Sequence, residues 1–201
     1  PGIEAAIDPL TTLFKRTKDP EHLKAIAKLR LPQTVDLFIE QLDYSDESFE
    51  NAAVAATALG EMAKKDDKGR EAAKKAVPEL VKTLSKKLPI KTRANVVKVE
   101  AMEALTAIKD PAAVPALAAV VETSADEQDF FLNKKAARHL AEFADPASVP
   151  SLVRGLFMTG RGSDIFTDCR IALARIGEPA VDKVVEAMQR KNTKLEEDAK
   201  K

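Results

Sequence analysis

The chain has 201 residues, of which 45% are hydrophobic, 32% are charged and 4% are aromatic. A composition rich in alanine and charged residues and poor in glycine and aromatics favours helices over β-sandwiches and barrels. Two histidines and one cysteine are too few for a Cys/His zinc site or an internal disulfide, and no apolar stretch is long enough to span a membrane. Acidic and basic residues balance at 32 each, so the net charge gives no indication of a nucleic-acid partner.

The hydrophobic spacing predicts helices of two types that alternate along the chain. The first type is predicted at 9–17, 32–43, 69–87, 111–123, 146–158 and 178–191. The second type is predicted at 20–30, 47–63, 94–108, 128–143 and 164–176. We expect residues 3–7 to be the last turn of an earlier second-type helix, because the sequence around Ile7 resembles the end of helix 94–108.

Each helix type has its own repeated motif. The first type opens with Asp-Pro-x-x-Val-Pro-x-Leu at 110–117 and again 35 residues later at 145–152, and its valine recurs as Val35, Val77, Val114, Val149 and Val181. The second type carries a small residue, a leucine four positions later and a large apolar residue three positions after that. The copies of this stripe are Ala55/Leu59/Met62, Ala101/Leu105/Ile108, Ala136/Leu140/Phe143, Cys169/Leu173/Ile176 and, more weakly, His22/Ile26/Leu29. Spacings of four and three place the stripe on one helix face, which predicts the core.

Prolines and glycines mark the helix boundaries. Asp-Pro pairs at 8–9, 19–20, 110–111 and 145–146 predict helix starts, because Asp caps a helix and Pro suits its first position. Pro78, Pro115 and Pro150 lie inside first-type helices, so these helices should bend or start irregularly. The glycine-containing segment 158–164 is interpreted as a plain helix–helix connection.

These motifs resemble HEAT repeats, and more narrowly the short bacterial HEAT-like repeats first named for phycobilin lyases. The resemblance implies an all-α, right-handed α-solenoid of about five to six helix pairs, whose second-type helices line the concave side. Many HEAT repeats carry a Val-Arg pair early in the second helix, and here the equivalent positions read Asn51-Ala52, Val97-Lys98, Leu132-Asn133 and Ile165-Phe166. An arginine ladder is therefore not expected, and cohesion between repeats should come from apolar packing.

The absence of a linker rich in glycine and serine indicates one solenoid domain over residues 1–191, followed by a charged tail at 192–201. Its helix pairs are expected at about 3–30, 32–63, 69–108, 111–143 and 146–176, with a last helix at 178–191. The tail has one large apolar residue and is interpreted as frayed helix or disorder.

Catalytic chemistry is not indicated by the reactive residues. His22 and His139 have no Cys, Ser or second His at catalytic spacing, and there is no His-Glu pair and no phosphate-binding glycine loop. Cys169 replaces an alanine of the stripe and is interpreted as a buried thiol. We expect no catalytic residue, no metal and no cofactor.

Charge is unevenly distributed along the chain. Residues 31–63 contain seven acids and no Lys or Arg, whereas residues 64–98 contain twelve bases and four acids. The candidate basic patch for an acidic partner comprises Lys82, Lys86, Lys87, Lys91 and Arg93. The alternative is that these bases pair with the acidic repeat before them.

Aromatic residues supply a second candidate surface. Phe130 and Phe131 are adjacent, so they cannot both face the core stripe, and Phe166 occupies a position where the family places an arginine. With Arg161 of the nearby glycine-containing loop, these residues are candidates for binding a protein partner. The alternative is that the phenylalanines pack between repeats.

The sequence thus favours a non-catalytic scaffold that binds a protein through its concave face. One alternative is a phycobilin-lyase-like chaperone or accessory subunit that holds a tetrapyrrole or its carrier protein. The other is a nucleic-acid binder, which is disfavoured because helices 47–63 and 128–143 begin in acidic stretches that repel phosphates. The sequence leaves the cellular compartment open.

Overall fold

Helices of the two predicted types alternate in the computed structural model, which describes residues 2–160 and 162–199. The first-type helices are α1 (Ile7–Thr17), α3 (Val35–Ile39), α5 (Asp67–Ala73) with α6 (Val77–Ser85), α8 (Val114–Glu122), α10 (Val149–Gly155) and α12 (Glu178–Ala199). The second-type helices are α2 (Pro20–Leu29), α4 (Glu50–Lys65), α7 (Asn95–Ile108), α9 (Phe131–Phe143) and α11 (Phe166–Ile176). Short 3₁₀ turns occupy Ile3–Ala6, Pro32–Thr34, Lys74–Ala76, Pro111–Ala113 and Pro146–Ser148. The predicted all-α solenoid is confirmed.

The helices stack in two layers. The second-type helices α2, α4, α7, α9 and α11 pack in chain order, each against the next, and α6, α8, α10 and α12 do the same in the other layer. The stripe residues point between the layers, and Leu59, Leu105 and Leu140 are fully buried. Gly60 allows α4 and α7 to cross closely, because a Cβ there would lie 3.1 Å from the Cα of Ala104.

Aspartate caps explain where several helices begin. The side chains of Asp19, Asp110 and Asp145 accept hydrogen bonds from backbone N–H groups two residues later, at 2.9, 2.9 and 2.8 Å. The same role predicted for Asp8 is wrong, because α1 begins at Ile7 and Asp8 lies in its first turn. Residues 3–7 likewise do not end a separate helix, since the 3₁₀ turn Ile3–Ala6 runs directly into α1.

The first-type helices start irregularly, as their internal prolines predict. A 3₁₀ turn immediately precedes the valine before each of Pro78, Pro115 and Pro150. The same turn precedes Val35, although the next residue there is Asp36. The irregular start therefore belongs to the repeat and does not require the internal proline.

The connection between α10 and α11 differs from its prediction. Helix α10 ends at Gly155, and strands β1 (Thr159–Gly160) and β2 (Ser163–Asp164) pair in an antiparallel manner where a plain loop was expected. Gly160 packs against the Phe130 ring, and a Cβ there would lie 2.9 Å from Phe130 Cδ2. Close contact with Phe130 thus holds this short hairpin against the start of α9.

The last helix leaves apolar side chains exposed. Val181, which the repeated motif places in the core, is 53% exposed, and Val185 and Met188 are about half exposed. In the described part of the chain α12 packs mainly against α10 and α11. None of the described helices is apolar over a sufficient length to cross a membrane.

Candidate partner-binding face

The second-type helices present a continuous surface, because α2, α4, α7, α9 and α11 lie side by side. We call the exposed side of these five helices the second-helix face. Large apolar residues on α7, α9 and α11 are exposed: Val96 by 37%, Phe131 by 46%, Phe166 by 48% and Ile171 by 45%. Several such residues on neighbouring helices are typical of a binding surface, whereas one alone would be unremarkable.

A groove runs across α2, α4 and α7 on the same face. Its volume is about 420 Å³, and Ala53, Val54 and Val96 supply apolar parts of its lining. The charged residues Glu61 and Glu100 also line it, and each is tied to a neighbouring repeat: Arg30 donates to Glu61 at 2.6 Å, and Thr57 donates to Glu100 at 2.8 Å. The lining of the groove therefore combines apolar and charged side chains, both of which occur at protein interfaces.

The predicted aromatic patch is only partly present. Phe131 and Phe166 are exposed at the first residues of the adjoining helices α9 and α11, but Phe130 is 6% exposed and packs against the hairpin at Gly160. Phe130 is therefore not part of the exposed patch, because its ring is buried against the hairpin. Arg161 lies outside the described residues.

Sequence reasoning missed Val96 and Ile171 on this face. Val96 stands five residues before the small stripe residue Ala101, and Phe131 stands five before Ala136. The two residues thus occupy the same position of the repeat, which is the signal that could have identified Val96. Ile171 lies between the stripe residues Cys169 and Leu173 and offers no comparable signal.

The predicted basic patch is partly occupied by partners within the fold. Lys82 pairs with Glu79 at 3.2 Å, and Lys86 pairs with Asp43 at 3.0 Å and also donates to the carbonyl of Tyr44. The Lys86 ammonium holds the pKa of Asp43 below its usual value. The guanidinium of Arg93 lies over the Phe49 ring, 5.9 Å from its centre.

Three of the five predicted bases remain exposed without an ion pair in the described part of the chain, namely Lys87, Lys91 and Arg93. Outside the predicted five, Lys75 also pairs with the acidic repeat, at 2.5 Å from Asp36. Ion pairs with the acidic repeat therefore offset part of the positive charge of residues 64–98, and the basic patch stays a prediction.

Polar contacts join neighbouring second-type helices, contrary to the expectation that apolar packing alone would do so. Arg138 of α9 donates to Asp168 of α11 at 2.7 Å, and the carboxylate of Asp168 is nearly buried. Lys134 donates to Ser163 in the hairpin at 2.7 Å. These contacts fix α9 and α11 relative to each other, so Phe131 and Phe166 are held on rigid elements.

The histidines and the cysteine serve the fold. His139 is buried with Nδ1 3.0 Å from the Thr106 hydroxyl, and burial lowers its pKa. His22 is half-buried with its ring 2.9 Å from the Thr17 hydroxyl. Cys169 is fully buried, and burial raises its pKa to about 12, so the reactive thiolate is not populated at neutral pH. The described residues contain no cluster of His, Cys, Asp and Glu that could hold a metal ion.

Comparisons with known proteins agree with this architecture. Residues 97–123 match the family model described as the PBS lyase HEAT-like repeat, and a search of curated proteins finds no match. Two crystal structures of engineered proteins from the Northeast Structural Genomics Consortium are similar in fold. One has a TM-score of 0.62 and 20% identity, covering 90% of this chain and 86% of that one. The other has a TM-score of 0.60 and 23% identity, covering 92% and 85%. The matched segment is therefore similar to a HEAT-like repeat, and it lies within a solenoid of stacked helices.

Proposed function

We propose that the protein is a non-catalytic scaffold that binds a protein partner through the second-helix face. The observation that carries this proposal is the exposure of Val96, Phe131, Phe166 and Ile171 on three successive helices. Burying such side chains against a partner provides most of the binding energy at protein interfaces, where aromatic residues are frequent anchors. HEAT-like repeats are suited to this role, because stacked helix pairs form an extended surface.

The scaffold is proposed to bind without rearranging. Arg138, Asp168 and Lys134 connect α9 to α11 and the hairpin, so the exposed phenylalanines do not need to be ordered on binding. A pre-formed surface loses less conformational entropy than a flexible one, which favours affinity. The absence of catalytic chemistry is inferred from the packing of His22, His139 and Cys169 into the fold.

Nucleic acid is a less suitable partner for this face. Asp126, Glu127 and Asp129 stand before α9, and Asp129 accepts hydrogen bonds from Asn95 at 2.7 Å and from the backbone of Lys91 at 2.6 Å. Their negative charge near the start of α9 opposes phosphate binding next to Phe131. No observation on the second-helix face favours a tetrapyrrole over a protein.

The proposal is tested with a photo-crosslinking amino acid placed at Val96 or Ile171. The matched control places it at Lys68, an exposed residue of the first-type helix α5 in the opposite layer. In cells that contain the natural partner, we expect one discrete crosslinked species from the second-helix positions and none from position 68.

The second arm of the test is the variant Phe131→Ser, which should weaken that complex at least tenfold with little change in melting temperature, because Phe131 is already about half exposed. Equal crosslinking from both layers, or a complex that Phe131→Ser leaves intact, would contradict the proposed surface.

A further inference from the structure

A second groove lies between α6 and α8 in the layer of first-type helices. Its volume is about 730 Å³, within the range of small-molecule sites. Val81 and Leu84 of α6 line one side, and the small residues Ala116 and Ala119 of α8 leave room on the other. The groove is therefore mainly apolar and is separate from the second-helix face.

Lys98 is the residue that α7 contributes to the lining of this groove. It is only 5% exposed, and in the described part of the chain it forms no hydrogen bond and no ion pair. A lysine buried to this extent is normally paired, because an isolated ammonium is poorly solvated in an apolar environment. Burial accordingly lowers the pKa of Lys98. The groove thus contains a cation that lacks its counterion.

The other polar groups that line the groove are engaged within the fold or lie at its edge. Ser85 donates to the carbonyl of Lys82 at 2.8 Å, and Thr123 donates to that of Ala119 at 2.9 Å. Gln128 donates to the carbonyl of Val120 and to Asn133 Oδ1, both at 2.9 Å. A neutral ligand rich in hydrogen-bonding groups would find few unused partners here.

Three charged residues besides Lys98 line the groove. Lys86 is occupied by Asp43, while Lys87 and Glu127 are exposed. Glu127 is the one acid in the lining, and among the described residues it forms no ion pair with Lys98. The buried end of the groove is therefore positive, and the rim carries one free charge of each sign.

We propose that this groove binds an aliphatic carboxylate, whose carboxylate pairs with the ammonium of Lys98 while its alkyl chain lies between α6 and α8. A single buried ammonium matches a single carboxylate, whereas a phosphate group is usually held by several donors. The alkyl chain matches the walls formed by Val81, Leu84, Ala116 and Ala119. An ion pair with the ligand would also offset the desolvation free energy of the Lys98 ammonium. A neutral or cationic ligand cannot do this, so the groove should select an anionic head group.

The probe for this proposal is decanoate, with decanol as the neutral analogue and decyltrimethylammonium as the cationic one. Binding is followed by calorimetry and by the NMR signal of the Lys98 ε-carbon in protein labelled at lysine. We expect saturable binding of decanoate alone, together with an upward shift of the Lys98 pKa in the complex. Equal binding of decanol, or no binding of decanoate at millimolar concentration, would overturn the assignment.

Substitutions separate this ligand role from a structural one. Lys98→Met should reduce decanoate affinity at least tenfold and raise the melting temperature of the free protein, because it removes a buried unpaired charge. Lys68→Met, at an exposed position outside the groove, is the matched control and should change neither the decanoate affinity nor the melting temperature. Glu127→Gln should strengthen decanoate binding, because it removes a negative charge from the rim that repels the carboxylate.

A structural role for Lys98 makes the opposite predictions. If Lys98 pairs with Glu127 in solution, both Lys98→Met and Glu127→Gln lower the melting temperature, and that result would refute the proposal. If Lys98→Met does not fold, the titration of labelled wild-type protein with decanoate still tests the proposal. A Lys98 signal that decanoate leaves unchanged would refute it.

Discussion

The packing between α10 and α11 allows a quantitative test at Gly155. A Cβ at this residue would lie 2.5 Å from Cys169 Sγ, 3.2 Å from Ile165 Cδ1 and 3.3 Å from Val121 Cγ1. Contacts this short force side chains or backbone to move, and overpacking of this kind costs about 1–3 kcal/mol. The usual helical preference for alanine offsets little of this, because Gly155 is the last residue of α10. We expect Gly155→Ala to lower the free energy of unfolding by about 1–2 kcal/mol.

A double-mutant cycle identifies the sulfur as the cause. Cys169→Ala removes the atom that the new methyl group meets first, at a cost of about 1 kcal/mol for the lost packing. In the double variant the alanine methyl occupies part of the vacated space, so the double variant should be more stable than the sum of the single effects predicts, by about 1 kcal/mol. The assay is urea unfolding of all four proteins. Additive effects within about 0.5 kcal/mol would show that the sulfur contact does not limit the packing at Gly155.

Three further predictions concern a buried hydroxyl, a strained backbone position and a histidine. The Tyr44 hydroxyl is buried without a hydrogen-bond partner. Tyr44→Phe should therefore stabilise the protein by about 1 kcal/mol in urea unfolding. A loss of stability in this variant would contradict the unpaired state of the hydroxyl. Ala144 follows the last residue of α9 with φ 51°, a left-handed conformation that favours glycine. Ala144→Gly should therefore stabilise the protein by up to about 1 kcal/mol, whereas Ala119→Gly inside α8 should destabilise it by about 1 kcal/mol. A change of the same sign in both variants would contradict this reasoning. Burial lowers the pKa of His139 below its usual 6.5, so the unfolded protein binds a proton more readily than the folded protein as the pH falls below 6.5. Between pH 7.5 and 5.5 the wild type should therefore lose more stability than His139→Gln. Parallel stability profiles of the two proteins against pH would refute a lowered pKa of His139.

The helices could be predicted closely from the sequence, because their signals are local. Helix α7 was predicted at 94–108 and spans Asn95–Ile108, since a periodic apolar stripe and an Asp-Pro boundary after it both report on adjacent residues. The hairpin at Thr159–Asp164 could not be predicted, because strands of two residues have no measurable period. Its position depends on Gly160 meeting the Phe130 ring, a contact between residues distant in the sequence.

The candidate surfaces were predicted less well for the same reason. Adjacency shows that Phe130 and Phe131 face different directions, but only the contact with the hairpin decides that Phe130 is buried and Phe131 exposed. The charge of residues 64–98 was visible in the sequence, yet the ion pairs of Lys75 with Asp36 and Lys86 with Asp43 depend on how neighbouring repeats align. Ion pairs and exposure are properties of the stacked array, which one repeat considered alone does not contain.

One position of the repeat shows how the array tolerates chemical variation. Three residues before the small stripe residue of the second-type helices stand Ala52, Lys98, Asn133 and Phe166. Asn133 is fully buried and donates to the carbonyls of Val121 and Thr123 at 2.8 and 2.7 Å, so it ties the end of α8 to α9. Ala52 is buried without polar groups, Phe166 is about half exposed, and Lys98 is buried without a partner.

The stacking of the helices therefore accommodates four different side chains at this position beside a recurring apolar stripe. A position that tolerates such variation is free to acquire a binding role. In this chain Phe166 adds an aromatic ring to the second-helix face, and Lys98 adds a charge to the groove between α6 and α8. The same position of the repeat thus carries an exposed aromatic ring in one copy and a buried charge in another.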